Sequence, residues 1–228
     1  MDRPGLGQSD PQPERCVADW ARDVEALADH LGVGEIAVVG WSMGGPYAAA
    51  VAAVLGSRVA SLTLLAPAPV TLAADNLGGL GKQDFWMLAR DDPWTAAKAY
   101  LNLGIAARHH PASAVEALSL GCSQPELEAL ARPAYAEPLI ATLAEATRQG
   151  PMGLIDDMLV EMAPWGFDPA TITSPTTIWE ATNDSFSLPG VAQAWADTIH
   201  AAEVRTLEDE GHLFPPSHTR ELLDTLSP

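Results

Sequence analysis

Apolar residues at Val17, Trp20, Val24, Leu27 and Leu31 recur in steps of three and four, the spacing of one helix face, and Gly32 and Gly34 close that helix. The next apolar run, 36–39, is short and rich in β-branched residues, which predicts a strand buried on both faces, as in a parallel sheet. Gly40, Gly44 and Gly45 follow it closely. Alanine, valine and leucine dominate 43–55, predicting a helix covered on most sides and stopped by Gly56. A second buried strand is predicted over 59–65, and Pro67 cannot continue its ladder. Strand, helix, strand in this order predicts a right-handed βαβ unit.

Between 71 and 173 the buried-strand signal disappears, and amphipathic stretches such as 94–103 and 126–131 alternate with Gly and Pro. This segment reads as a helical cap insertion. After Pro175 the α/β alternation resumes, with strands over 176–179 and 203–207 and helices over 191–199 and 219–226. The expectation is an α/β fold with a mostly parallel sheet of about four strands. Its core spans 1–70 and 174–228, split around a cap at 71–173.

The chain has 228 residues, enough for one such domain, with 12 Lys and Arg against 30 Asp and Glu and a net charge of -18. A surface this acidic repels phosphate backbones and anionic headgroups, so neither nucleic acid nor a membrane surface is an expected partner. Cys16 and Cys122 form no disulfide framework and no metal-ligand spacing. The first residues carry no basic-then-apolar signal segment, and no apolar run approaches the roughly 20 residues of a membrane span. The expected location is cytoplasmic.

The candidate chemistry begins at Gly40-Trp41-Ser42-Met43-Gly44, a G-x-S-x-G pattern between a predicted strand and a predicted helix. So tight a turn leaves the serine strained and exposed and is expected to need glycine at 40 and 44. A serine hydroxyl needs a base within hydrogen-bond reach and a third group to hold that base. His212 follows Gly211 in a loop after the last predicted strand; His30, His109, His110, His200 and His218 read instead as surface or capping residues. Asp184 lies just past the strand at 176–179, so Ser42, Asp184 and His212 occur in that chain order at one edge of the sheet. Asp75, after the preceding strand, is the alternative acid. The glycine-rich run 78–83 lacks the first glycine and the Ser/Thr of a phosphate-binding loop, and no zinc spacing occurs.

These residues resemble the α/β-hydrolase superfamily, and within it the small capped bacterial esterases, lactonases and cofactor-free haloperoxidase-like enzymes. Asp2-Arg3-Pro4-Gly5-Leu6-Gly7-Gln8-Ser9-Asp10 resembles the segment after the family's fourth strand, and Trp165-Gly166-Phe167-Asp168 its return from the cap. The resemblance implies acyl transfer by Ser42, with His212 as base, Asp184 as its support and the Met43 N–H as one oxyanion donor. Serine rather than aspartate at 42 disfavours dehalogenase and epoxide hydrolase chemistry. No metal or organic cofactor is expected.

The family's second oxyanion donor comes from a loop after its third strand, and the resemblance aligns Met1 with the end of the fourth. The first four strands and that loop therefore have no counterpart. Residues 36–39 would then form an apolar sheet edge open to pairing with a second copy, as in a homodimer. The expectation is that the natural chain starts upstream of Met1; a truncated, impaired homologue with a binding role is the alternative. Large apolar residues at 71–173, namely Phe85, Trp86, Met87, Trp94, Tyr100, Trp165 and Phe167, suggest a small, uncharged, fairly hydrophobic ester or lactone. Carbon-carbon bond hydrolysis and perhydrolysis use the same triad. Asp156 and Asp157, near the cap's end, are expected to make cap-to-core or solvent contacts rather than to act in catalysis.

Overall fold

The computed structural model describes residues 1–69, 88, 91–187 and 189–226. Asp75, the run 78–83, Phe85, Trp86 and Met87 lie outside the described residues. The chain divides into two compact units, one formed by Met1–Arg15 and Ala73–Ala163, the other by Cys16–Leu72 and Pro164–Pro228.

The second unit is a parallel sheet with flanking helices. Its elements run α1 (Trp20–His30), β1 (Ile36–Trp41), α2 (Gly44–Leu55), β2 (Val59–Leu65), β3 (Thr176–Ala181), with α8 (Val191–Thr198), β4 (Ala202–Leu207) and α9 (Thr219–Asp224) closing the chain. The four strands are ordered β1-β2-β3-β4 and every neighbouring pair is parallel. Helix α2 is buried through Ala52 and again at Leu55, as its unbroken small-apolar composition requires. Leu62, Leu64 and Ile178 form the buried centre of the sheet.

Two expectations are corrected here. Residues 36–39 are not covered on both faces: Ala37 is exposed and Val39 45% exposed, and among the described residues β1 pairs only with β2, at the sheet's end. Helix α1 forms as predicted, preceded by a 3₁₀ turn at Val17–Asp19, but it buries Val17, Ala21 and Ala28 while Leu27 and Leu31 remain exposed.

The first unit is helical: α3 (Pro93–His109), α4 (Pro111–Ser119), α5 (Gln124–Leu130), α6 (Pro133–Ala146) and α7 (Met152–Met162). Pro93, Pro111 and Pro133 each open a helix, where a missing N–H costs nothing. Asp92 caps α3 by accepting the Thr95 amide at 3.1 Å, and Glu126 caps α5 by accepting the Ser123 amide at 2.8 Å. Ala107, Ala114 and Ile140 join α3, α4 and α6 in one apolar cluster. A Cβ at Gly104 would stand 2.1 Å from Thr147 Oγ1, so only glycine permits that approach. Asp157, fully buried on α7, pairs with both Arg3 and Arg15, tying the first fifteen residues to the helices of this unit.

Trp165 and Phe167 belong to the sheet unit, where Trp165 stacks on both Phe167 and Trp195. They pack the core there. In the helical unit Trp94 is 72% exposed and Tyr100 is half-buried, its hydroxyl 3.8 Å from Met158 Sδ. Burial, aided by the negative charge of Glu161, pushes the Tyr100 hydroxyl far above its ordinary range.

Candidate active site

The turn at Ser42 is built from steric requirements. Ser42, between β1 and α2, has φ +54°, a left-handed conformation uncommon for a residue with a Cβ. It is held there by its own backbone: Ser42 N–H donates to Leu65 O at 2.9 Å, while Ser42 O accepts from Gly45 N at 2.9 Å and Ala68 N at 3.0 Å. A Cβ at Gly40 would meet Gly44 O at 2.5 Å and Ala48 Cβ at 2.6 Å, so the residue two before the serine must be glycine. The expectation for Gly44 does not hold, because a Cβ there would meet nothing within 4 Å. Gly45 is the second obligatory glycine, since its Cβ would lie 2.7 Å from Pro67 Cβ in the turn after β2.

The acid loop follows β3. Asp184 Oδ1 accepts the amides of Phe186 at 2.7 Å and Ser187 at 2.9 Å, leaving Oδ2 to face His212 Nδ1 at 2.7 Å. Because an ionised carboxylate only accepts, this contact places the imidazole proton on Nδ1. The other ring nitrogen, Nε2, is then the acceptor facing Ser42 Oγ at 2.9 Å. His212 is 6% exposed. The parallel register brings 42, 184 and 212 together, since each follows the carboxyl end of a strand in the same sheet.

Hydrogen bonds lace the loop of Asp184 to that of His212: Thr182 N–H to Leu207 O at 3.1 Å, Asn183 N–H to Glu210 O at 2.9 Å, and Asp209 N–H to the Thr182 side-chain Oγ1 at 3.0 Å. His218 extends this lacing, with Nε2 3.2 Å from Glu210 Oε1 and Nδ1 3.2 Å from Glu221 Oε2. Burial acts to lower its pKa, but the hydrogen bonds to the two carboxylates outweigh it and the net shift is upward. His30, His109, His110 and His200 are exposed, at helix ends and turns.

Two aromatic residues at the site carry no sequence motif for a role. The Trp41 ring lies 5.8 Å from the His212 ring and Phe186 lies 4.7 Å from it. The available signal was position: one precedes the nucleophile, the other follows the acid by two residues. A cavity of about 300 Å³ opens beside the acid loop, lined by residues including Ala66, Pro67, Thr182, Asp184 and Val191, but neither Ser42 nor His212 lines it. Among the described residues no group of three or more His, Cys, Asp or Glu side chains could hold a metal ion, and no helix is long and apolar enough to cross a membrane.

With this geometry in place, the comparisons with known proteins are direct. The family model described as alpha/beta hydrolase fold matches residues 1–219, and the chain belongs to that family. Among solved structures, it is similar to an alpha/beta hydrolase fold protein from Nakamurella multipartita, at 24% identity and TM-score 0.69, covering 99% of this chain and 80% of that one. A thermophilic esterase from Thermogutta terrifontis is similar at 24% identity and TM-score 0.66, covering 98% and 78%. The enol-lactonase from Burkholderia xenovorans LB400 is similar at 18% identity and TM-score 0.63, covering 98% and 76%. No curated protein matches the chain.

Proposed function

We propose that the protein is a serine hydrolase acting on a small, uncharged carboxylic ester or lactone. The observation that carries this reading is the hydrogen-bonded chain from Ser42 Oγ through the His212 ring to Asp184. Family membership and the esterase and lactonase among the similar structures support it. The net charge of -18 weighs against anionic substrates.

Ser42 Oγ attacks the substrate carbonyl carbon as His212 Nε2 takes the hydroxyl proton, and the imidazolium so formed is stabilised by Asp184 across the Nδ1–H contact. The new C–O bond turns the carbonyl oxygen into an oxyanion. The Met43 N–H, first amide after the nucleophile and at the positive end of α2, is one donor for that charge. Collapse expels the alkoxide, which receives the proton from His212 and leaves the acyl group on Ser42. Water, deprotonated by His212, then attacks the acyl carbon, and the serine oxygen regains its proton as the acid departs.

Treatment of the chain with a fluorophosphonate probe, which phosphonylates only an activated serine, tests the reading. Covalent labelling that disappears in Ser42→Ala is the expected result. A folded chain that takes no label overturns it in favour of a non-catalytic role.

A further inference from the structure

The base is fastened to the acid by several hydrogen bonds, but the triad also needs the base fixed against the nucleophile. The lacing between Thr182, Asn183 and the 207–210 segment ties the His212 loop to the Asp184 loop, and none of these bonds reaches the turn at Ser42. Trp41 addresses that second requirement. It is the last residue of β1 and the immediate neighbour of Ser42, and its indole Nε1–H donates to the backbone carbonyl of His212 at 3.2 Å. Its ring also meets the imidazole at 33° with centroids 5.8 Å apart. The indole is itself braced, because it packs against the cluster of Leu65, Ala66, Trp179, Phe214 and Leu222. Strands β2 and β3, the base loop and α9 all contribute to that cluster.

We propose that Trp41 is a positioning residue that ties the histidine loop to the nucleophile turn, so that the Ser42 Oγ to His212 Nε2 distance is set from the nucleophile's own strand. The inference rests on the serine-hydrolase reading above. Proton transfer requires heavy atoms within about 2.6–3.2 Å, and displacement by about 1 Å can cost on the order of 10² in rate. The hydrogen bond to the His212 carbonyl therefore acts on the chemical step, whereas a pocket wall acts on binding.

The test measures fluorophosphonate inactivation of the full 228-residue chain over a range of probe concentrations, separating the maximal inactivation rate from the probe concentration giving half of it. Wild type, Ser42→Ala, Trp41→Phe and a chain carrying benzothienylalanine at 41 are compared. The last keeps the bicyclic ring and loses only the N–H, so packing is preserved even if Trp41→Phe folds poorly. Both Trp41 replacements should lower the maximal rate about five- to tenfold, the loss expected from one hydrogen bond, with the half-saturating concentration unchanged. An unchanged maximal rate in the benzothienylalanine chain overturns the inference and leaves the serine-hydrolase reading standing. A raised half-saturating concentration with an unchanged rate makes Trp41 a pocket wall and also overturns it. Absence of label on the wild type overturns the serine-hydrolase reading, and the inference falls with it.

Discussion

Asp184 Oδ2 stands 2.7 Å from His212 Nδ1, and the two side chains are only 5% and 8% exposed. The same carboxylate accepts two amides on its other oxygen, so its orientation is set by its own loop before the histidine arrives. Such a carboxylate determines which imidazole nitrogen bears the proton.

Asp184→Asn preserves the shape and reverses that choice. An amide nitrogen facing Nδ1 would move the ring proton to Nε2, which then can no longer accept the hydroxyl proton of Ser42. Turnover of a chromogenic ester should fall by about 10⁴ with little change in thermal stability. A fall below about tenfold would show that Asp184 does not govern the tautomer.

The nucleophile turn should respond unequally to its glycines. Gly40→Ala drives a methyl group into Gly44 O and Ala48, and overpacking of this kind costs roughly 1–3 kcal/mol. Thermal unfolding should therefore drop by several degrees and fluorophosphonate labelling should be lost. Gly44→Ala, with nothing within 4 Å of the added carbon, should melt within about two degrees of wild type and still label.

Asp157 is fully buried between Arg3 and Arg15. Asp157→Ala leaves two guanidinium groups without their counter-charge, and removing one partner of a buried ion pair costs about 3–5 kcal/mol. Denaturant unfolding of wild type and variant measures the difference. A cost under about 1 kcal/mol would place this group among surface-type pairs.

His218 should act as a pH-dependent brace on the base loop. Its pKa in the folded chain is raised above the ordinary value of 6.5, burial opposing the shift and the hydrogen bonds to Glu210 and Glu221 producing it. A raised folded pKa means that the stabilisation is fully present below the unfolded value and is lost as pH rises through the folded one. Compared with His218→Gln, wild type should melt higher at pH 6, and the advantage should vanish by pH 9. The effect should be a few degrees at most, because Glu221 is 62% exposed and water screens the pair. A difference between the two proteins that is constant with pH would rule the brace out.

Much of the architecture was legible in local patterns. The strand over 59–65 and the start of the helix at 191 are found where the apolar runs place them. The apolar run 36–39 reads by itself as a fully covered strand; the family resemblance, not the run, placed it at a sheet edge, and Val39 is 45% exposed. Periodicity reports how many faces a segment can bury, and the sheet order decides how many it does. The same limit applies to Trp165 and Phe167, whose apolar character suited a cap, whereas Trp165 stacks on both Phe167 and Trp195 in the sheet unit.

The sequence by itself determined the order of the elements, the tight turn at Ser42 and the succession of serine, aspartate and histidine after three strands. Those features depend on residues adjacent in the chain: β-branched runs, glycine where a Cβ cannot fit, polar loops at strand ends. Only the tertiary structure decided that Gly45 rather than Gly44 must lack a side chain, since Pro67 reaches it from the turn after β2. It also joined the Trp41 indole to the carbonyl of His212, 171 positions away. Contacts at such separation follow from strand order and register, which arise when all four strands pack together, and no local pattern encodes them.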